Sequence, residues 1–307
     1  MRLGVSGVML ALLSAVSAMA SAGGAWVPPP GEGSIYMGFS RKAASSSWNA
    51  FGDVFDHRSG TGDLSWHDFR YLYTTAEIGL PGGLALGFTG TWLYGLEGPK
   101  NAYDKGVGLS DAWFSLRYQI PRTANTGWPV ALAVGHRSPF TYDMPGAYSR
   151  YVYDAQGQRR EGLSPEWRGL LKRDYGISAT LGRSYAGYRA WAQLEAGYTF
   201  REGAPSDQFF LNGDTGYPLP FLRSYAKAAG ALAVSTGNNT PRQPDDRFGS
   251  RPDYSFNDAS MLKLGVAWVV PFGRNREWSA EVGYNQWVWG RSARRYKEPY
   301  VSISRSF

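Results

Sequence analysis

The side chains of this chain that could do chemistry are charged groups and aromatic rings at every second position of otherwise apolar segments. The basic members are Arg117, Arg137, Arg189, Arg223, Lys227 and Lys263, and the acidic members are Glu77, Asp111, Glu195 and Glu281. The aromatic members are Tyr36, Tyr71, Tyr73, Trp113, Trp191, Tyr225, Trp287 and Trp289. On one interior surface, this basic excess would favour anions, and the rings would offer stacking surfaces to sugars or aromatic solutes. The alternative is a structural network in which opposite charges pair and fill a narrow interior.

A second basic group lies close to the C-terminus. It consists of Arg291, Arg294, Arg295 and Lys297, four cations within seven positions. On the outer surface of a membrane protein these side chains would meet the phosphates of lipopolysaccharide. We therefore predict a lipopolysaccharide contact here, with a plain solvated loop as the alternative.

Residue types needed for catalysis or metal binding are scarce. The chain has no Cys and three His, which excludes a disulfide framework and a Cys nucleophile and argues against a multi-His metal centre. His136 lies two positions from Ser138, but nothing in the sequence places a third partner for a nucleophilic triad. We expect no enzyme activity, no cofactor and no metal site.

The first 22 residues have the order of features of a secretory signal. Arg2 precedes the apolar run 8–16, which is too short to span a membrane, and Ala20-Ser21-Ala22 offers a small-x-small cleavage site. The sequence thus predicts a signal peptide over 1–22 and an exported domain over 23–307. For an exported protein, the sequence pI of about 9.4 indicates contact with anionic lipid rather than nucleic acid.

The elements that must position these side chains are β-strands. The chain is rich in Gly (39) and in aromatic residues (12 Trp, 20 Tyr, 15 Phe), and most segments alternate apolar and polar residues with period two. Many run for about ten residues or more, the length of a tilted membrane-spanning strand. The twelve predicted strands are 34–41, 67–80, 84–96, 110–120, 129–137, 174–185, 188–200, 208–217, 223–236, 260–272, 278–290 and 299–307.

The connections between these strands alternate in length. Short links such as 81–83 and 273–277 alternate with long polar links such as 42–66 and 237–259. This alternation predicts an all-β fold, a single antiparallel transmembrane β-barrel of about twelve strands with short periplasmic turns and long extracellular loops. The longest link, 138–173, either folds inward as a constriction or lies on the outer surface.

Three short motifs carry a resemblance to known families. Gly108-Leu109-Ser110-Asp111-Ala112, leading into Ser115-Leu116-Arg117-Tyr118, together with the terminal Phe307, resembles the outer-membrane transporter-like family of the meta pathway of phenol degradation. The stretch 24–33 (GAWVPPPGEG) resembles the mature start of barrels associated with exopolysaccharide genes. These likenesses imply a twelve-stranded barrel, and Phe307 implies recognition by the barrel-assembly machinery.

Together these features predict an outer-membrane channel or transporter for passive passage of small solutes, which could be anionic, sugar or aromatic. An outer-membrane port or accessory for exopolysaccharide export is the alternative within the same membrane. A non-conducting structural or adhesion barrel is the alternative from a different class. The expected partners are outer-membrane lipid and lipopolysaccharide, the assembly machinery, and a small solute or glycan, with no nucleic acid.

Overall fold

The computed structural model describes residues 24–56, 66–98, 104–109, 112–124, 127–138, 148–153, 159–161, 173–185, 190–202, 206–238 and 258–307. The predicted signal segment 1–22 lies outside the described residues, as do Asp111, Arg189 and most of the link 138–173. Within the described ranges, no helix is both long enough and apolar enough to cross a membrane.

Twelve antiparallel strands form the wall of a closed barrel. They are β1 (Gly33–Ala44), β2 (Trp66–Leu80), β3 (Leu84–Gly98), β4 (Ala112–Gln119), β5 (Val130–Ser138), β6 (Asp174–Tyr185), β7 (Ala190–Arg201), β8 (Gln208–Leu219), β9 (Ser224–Ser235), β10 (Ser260–Phe272), β11 (Trp278–Arg291) and β12 (Lys297–Ser306). Each strand pairs with the next in the chain, and β12 returns to β1 with Phe39 opposite Val301. The predicted fold class is confirmed, and β6 and β10 have the predicted bounds.

The two ends of the barrel differ in how the strands are joined. One end, the turn end, carries the short links, among them the helix α1 (Pro121–Ala124) and a 3₁₀ turn at Pro220–Leu222. The opposite end, the loop end, carries the additional strands. Asp104–Leu109 pairs with β3 beyond β4 and with Tyr148–Tyr153, which pairs with Arg159–Glu161. Ser46–Trp48, Val54–Asp56 and Ala293–Arg294 form a separate three-stranded sheet.

The turn between β10 and β11 is held by the carboxylate of Glu277. This carboxylate accepts a hydrogen bond from the backbone N–H of Asn275 at 2.8 Å. Hydrogen bonds from the backbone N–H groups of Glu277 and Asn275 stabilise the ionised form and hold the pKa of the Glu277 carboxyl below its ordinary value.

The wall is apolar outside and polar inside. On β1, the outward Ile35 and Phe39 are 43% and 45% exposed, whereas the inward Ser40 and Lys42 are 3% and 2% exposed. Val266 on β10 is 63% exposed on the outer face. A protein surrounded by water buries the apolar face of its sheets, so this inverted arrangement is the one expected of a barrel surrounded by lipid.

A β-bulge corrects the predicted position of Trp289. Leu262 pairs with Trp289 while Lys263 pairs with Trp287, so Val288 is an extra residue in β11. The extra residue reverses the alternation, and Trp289 lies on the outer face, 38% exposed, instead of in the lumen.

Arg223 is a second correction, because it does not face the lumen. It ends the 3₁₀ turn with φ of 50°, and its backbone N–H donates to the carbonyl of Pro220 at 3.2 Å. The ladder between β8 and β9 ends at the pair Leu219–Ser224, so Arg223 belongs to the turn and is exposed at the turn end.

Candidate functional site

The barrel encloses a cavity of about 150 Å³ between its two ends, which we call the chamber. Tyrosine, serine and threonine hydroxyls and the amides of Gln193, Asn212 and Asn285 form much of its lining. The charged members of the lining are Lys42, Lys227, Lys263, Glu195, Asp214, Glu281 and Glu298. Three cations thus face four carboxylates, so the chamber lacks the basic excess predicted from the alternation.

Two ion pairs in the chamber link different strands. One joins two strands that are not neighbours, and the other joins β1 and β12, the first and last strands, across the seam where the barrel closes. Lys227 Nζ on β9 lies 3.3 Å from Glu281 Oε1 on β11, and the hydroxyl of Tyr300 donates to the same oxygen at 2.6 Å. Lys42 Nζ on β1 lies 3.6 Å from Glu298 Oε1 on β12. These pairs neutralise much of the lining charge and brace the wall from within.

Aromatic rings and ammonium groups share the chamber wall. The rings of Tyr36 and Tyr73 stack with centroids 5.7 Å apart and an interplanar angle of 28°. Lys42 Nζ lies 4.7 Å from the ring centroid of Tyr71, and Lys263 Nζ lies 5.5 Å from that of Trp287. The wall therefore offers ring faces and hydroxyls as well as charge.

The turn end of the lumen is occupied by the chain's own N-terminal segment. Arg117, on β4, forms an ion pair with Glu77 on β2, and its guanidinium also donates to the carbonyl oxygen of Gly24. Gln119 donates to the carbonyl oxygen of Ala25 at 3.1 Å, and Ala25 is fully buried.

The loop end of the lumen is filled by an apolar cluster. Phe69, Trp287 and Tyr296 meet edge to face, with ring centroids 6.4 Å apart for Phe69 and Tyr296 and 5.4 Å for Trp287 and Tyr296. Met261 and Trp48 join the same cluster, and the indole N–H of Trp287 donates to the sulfur of Met261 at 3.1 Å. All of these side chains are at most 5% exposed.

A second charged cluster lies near the loop end. The carboxylate of Asp174 on β6 is fully buried between Arg137 Nη1 of β5 at 3.1 Å and Arg201 Nε of β7 at 3.7 Å. Arg201 also donates to Gln208 Oε1 at 2.8 Å. Arg137 is thus part of a three-strand network rather than an exposed point charge.

Most of the described lumen candidates do lie on the inner face. These are Arg117, Arg137, Lys227, Lys263, Glu77, Glu195, Glu281, Trp113, Trp191 and Trp287. The structure gathers only some of the charged candidates into the chamber lining, namely Lys227, Lys263, Glu195 and Glu281, whereas Arg117 and Arg137 lie outside it and bind Glu77 and Asp174. Three charged chamber residues were missed: Lys42 and Glu298, because each lies just beyond the predicted end of its strand, and Asp214, which lies inside the predicted strand 208–217.

The basic group near the C-terminus is split by the fold. Arg294 is fully buried, with Nη1 donating to the hydroxyl of Tyr296 at 3.4 Å, because its short strand pairs with Ser47 and folds over the loop end. This burial corrects the prediction that Arg294 contacts lipopolysaccharide. Arg291, Arg295 and Lys297 are exposed.

Arg41 joins these cations at the outer rim. With Arg295, Lys297 and Asp68 it lines a surface groove of about 380 Å³, and its guanidinium binds Asp68 through two hydrogen bonds of 2.8 and 2.7 Å. Arg41 follows Phe39 in the outward alternation of β1, and this signal could have identified it.

His136 lies on the outer face of β5. Its ring stacks on Tyr175 with centroids 4.9 Å apart, and Nδ1 lies 3.2 Å from the carbonyl oxygen of Asp174. Across the described ranges, no group of three or more His, Cys, Asp or Glu side chains is placed to hold a metal ion.

No protein-family profile and no curated protein sequence matches this chain. Among solved structures, an outer-membrane channel from Pseudomonas putida F1 is similar with a TM-score of 0.60 and 9% identity, over 93% of this chain and 98% of that chain. The translocator domain of the autotransporter NalP from Neisseria meningitidis is similar with a TM-score of 0.50 and 12% identity, over 96% and 94% of the two chains. At these identities the likeness is one of fold, that of outer-membrane β-barrels.

Proposed function

We propose that this chain is an outer-membrane channel that passes small solutes through the chamber, with its turn end facing the periplasm. The observation that carries the proposal is a polar chamber enclosed by a wall whose outer face is apolar. The likeness over almost the whole length of an outer-membrane channel supports it.

The chamber lining favours small uncharged polar solutes of the sugar type over anions. Its three lysines are offset by four carboxylates, and Lys227 and Lys42 lie within 4 Å of Glu281 and Glu298. Hydroxyls, amides and the stacked rings of Tyr36 and Tyr73 provide the hydrogen bonds and ring faces that sugars use. A cavity of about 150 Å³ has room for a small solute.

A non-conducting structural barrel is the second candidate. It is favoured by the filling of the lumen at both ends, by the N-terminal segment with Arg117 and by the cluster around Trp287. The two candidates differ in one measurable property, the passage of solute through the folded protein.

Single-channel recording of the refolded protein in a planar bilayer under a salt gradient tests the channel. We expect discrete conductance steps with weak ion selectivity, and a larger step in the double variant Tyr36→Ala/Tyr73→Ala, which removes two rings from the chamber wall. Tyr284→Ala is the matched control, because Tyr284 is exposed on the outer face of β11. Silence of the folded protein, of both variants and of a folded variant lacking residues 24–30, which occupy the turn end of the lumen, would reject the channel and leave the structural barrel.

We also propose two contacts outside the lumen. Arg41, Arg291, Arg295 and Lys297 are exposed cations suited to the phosphates of lipopolysaccharide. Neutralising Arg41, Arg295 and Lys297 should weaken lipopolysaccharide binding to the purified barrel, whereas neutralising Arg274 at the turn end should not. Equal binding by the two variants would reject the site.

Phe307 is proposed as the residue that the barrel-assembly machinery reads. Its side chain is 50% exposed at the turn end, and its backbone is paired with Gly33. Phe307→Ala should lower the amount of barrel assembled in cells while leaving refolding of the purified chain into detergent unchanged. Equal loss in both settings would indicate a structural role instead.

A further inference from the structure

Residues 24–30, which we call the plug, enter the lumen at the turn end and lie below the chamber. Ala25 is fully buried, and the carbonyl oxygens of Gly24 and Ala25 accept hydrogen bonds from Arg117 and Gln119 of β4. Gln193 lines the chamber and also contacts Gly24, so the end of the plug reaches the chamber wall. Solute leaving the chamber toward the turn end would meet this segment.

The barrel wall has a cradle for the plug, formed by glycines on two separate strands, β2 and β6. A Cβ atom at Gly182 on β6 would lie 2.6 Å from the Cβ of Ala25 and within 3.0 Å of the ring of Trp26. A Cβ at Gly79 on β2 would overlap the backbone carbonyls of Pro28 and Pro29. Glycine is needed at both positions because the plug approaches the wall more closely than any side chain would allow.

The attachment of the plug changes in character at Gly31. Beyond this residue the chain is fixed by backbone bonds: Gly31 N–H donates to Gly79 at 3.0 Å, and Gly33 and Phe307 exchange bonds of 2.9 and 3.0 Å. Before it, side-chain donors on β4 hold Gly24 and Ala25, and a backbone bond of 3.0 Å from the N–H of Glu32 to the carbonyl of Pro29 closes the turn at Gly31. Gly31 itself has φ of 84°, a conformation that glycine adopts at low cost, and a side chain there would meet open space, which makes it the natural hinge point.

We infer that the plug is a displaceable gate that binds the glycine cradle and swings about Gly31 to open the chamber toward the turn end. Opening leaves the wall intact, because the plug adds no strand to the barrel. On opening, hydrogen bonds to water replace the hydrogen bonds from Arg117 and Gln119, so the closed and open states differ only modestly in free energy. The gating role rests on the proposed channel function, whereas the closure of the chamber by the plug does not.

The accessibility of the chamber to a thiol reagent tests the plug directly. The chain has no cysteine, so Thr180→Cys places a single thiol in the chamber wall, at a position that is 4% exposed. We expect deletion of residues 24–30 to raise the rate of modification by a charged methanethiosulfonate about tenfold or more, because the rate follows the open fraction. Gln119→Ala should raise it several-fold. An unchanged rate in the folded deletion variant would overturn the inference, and Asn275→Cys in the exposed β10–β11 turn controls for reagent activity.

A disulfide staple provides the second test and does not depend on deleting a segment. In Ala25→Cys/Gly182→Cys the two Cβ positions lie 2.6 Å apart, closer than the about 3.8 Å of a disulfide, so the new side chain moves the plug off the wall by about 1 Å and the disulfide then ties it there. We expect the oxidised staple to stop solute passage and reduction to restore it. Ser279→Cys/Ser304→Cys is the matched control, because the hydroxyls of Ser279 and Ser304 lie 2.6 Å apart in the wall and their linkage leaves the plug free. Passage of solute through the oxidised disulfide variant would refute the gate. If no solute passed in the oxidised or the reduced state, but the thiol in the deletion variant still reacted faster, only the channel function would be refuted.

Discussion

Replacing Arg117 by methionine should destabilise the barrel strongly, although Arg117 lies in a lumen that could be taken for solvent-filled. Arg117 is 4% exposed and Glu77 is 7% exposed, so loss of the guanidinium leaves a buried carboxylate without its partner. Breaking a buried pair in this way costs about 3–5 kcal/mol. The lost hydrogen bond to Gly24 adds about 1 kcal/mol.

Urea unfolding of the refolded barrel measures this cost as a shift in midpoint at constant slope. The double variant Arg117→Met/Glu77→Met removes both charges, and we expect it to regain most of the loss and come within about 1 kcal/mol of the parent. Arg274→Met, at an exposed turn position, should change stability by about 0.5 kcal/mol or less. The reasoning would be refuted by an Arg117→Met cost no larger than that of Arg274→Met, or by a double variant as unstable as the single one.

Three further changes test other parts of the structure. Glu277→Gln should lower the stability of the barrel at neutral pH and have no effect on it in strong acid, which urea midpoints at the two pH values would check. Because the pKa of Glu277 is lowered in the folded protein, its ionised carboxylate stabilises the turn above the ordinary pKa of glutamate, and this stabilisation is lost as the pH falls through the lowered pKa. Trp287→Ala should cost about 3–5 kcal/mol because it empties the loop-end cluster, and equal midpoints for Trp287→Ala and the outward Trp289→Ala would contradict that packing. Val266→Lys should cost about 2–4 kcal/mol in a bilayer while Val266→Ala costs much less, and a tolerated lysine would show that this face does not meet lipid.

The strand pattern could be predicted from the sequence because it is local. On β6 and β10 every second residue meets lipid, so period-two alternation marks both strands from end to end. Trp289 was misplaced because the bulge at Val288 is set by pairing with β10, which alternation along β11 does not reveal. Arg223 was misplaced because it caps the 3₁₀ turn with φ of 50°, which the alternation of the following strand does not reveal.

The candidate site could be predicted only in part, because it depends on pairing across the lumen. Alternation shows that Lys227 and Glu281 point inward, but their ion pair joins strands separated by β10. The apparent basic excess arose because the carboxylates of Asp214 and Glu298 were not counted, and because arginines that were counted do not line the chamber. The plug was missed altogether, since 24–30 has no strand periodicity and its binding to Arg117 depends on the closed fold.

The strand that closes the barrel is also the last strand of the chain. Gly33 and Phe307 exchange two backbone hydrogen bonds across the seam between β1 and β12, although almost the whole described chain lies between them. A chain cut short before β12 would leave β1 and β11 with unpaired edges, which cannot be satisfied in hydrocarbon. The last strand therefore decides whether the sheet can close at all, because it alone pairs with both of these edges in the described barrel.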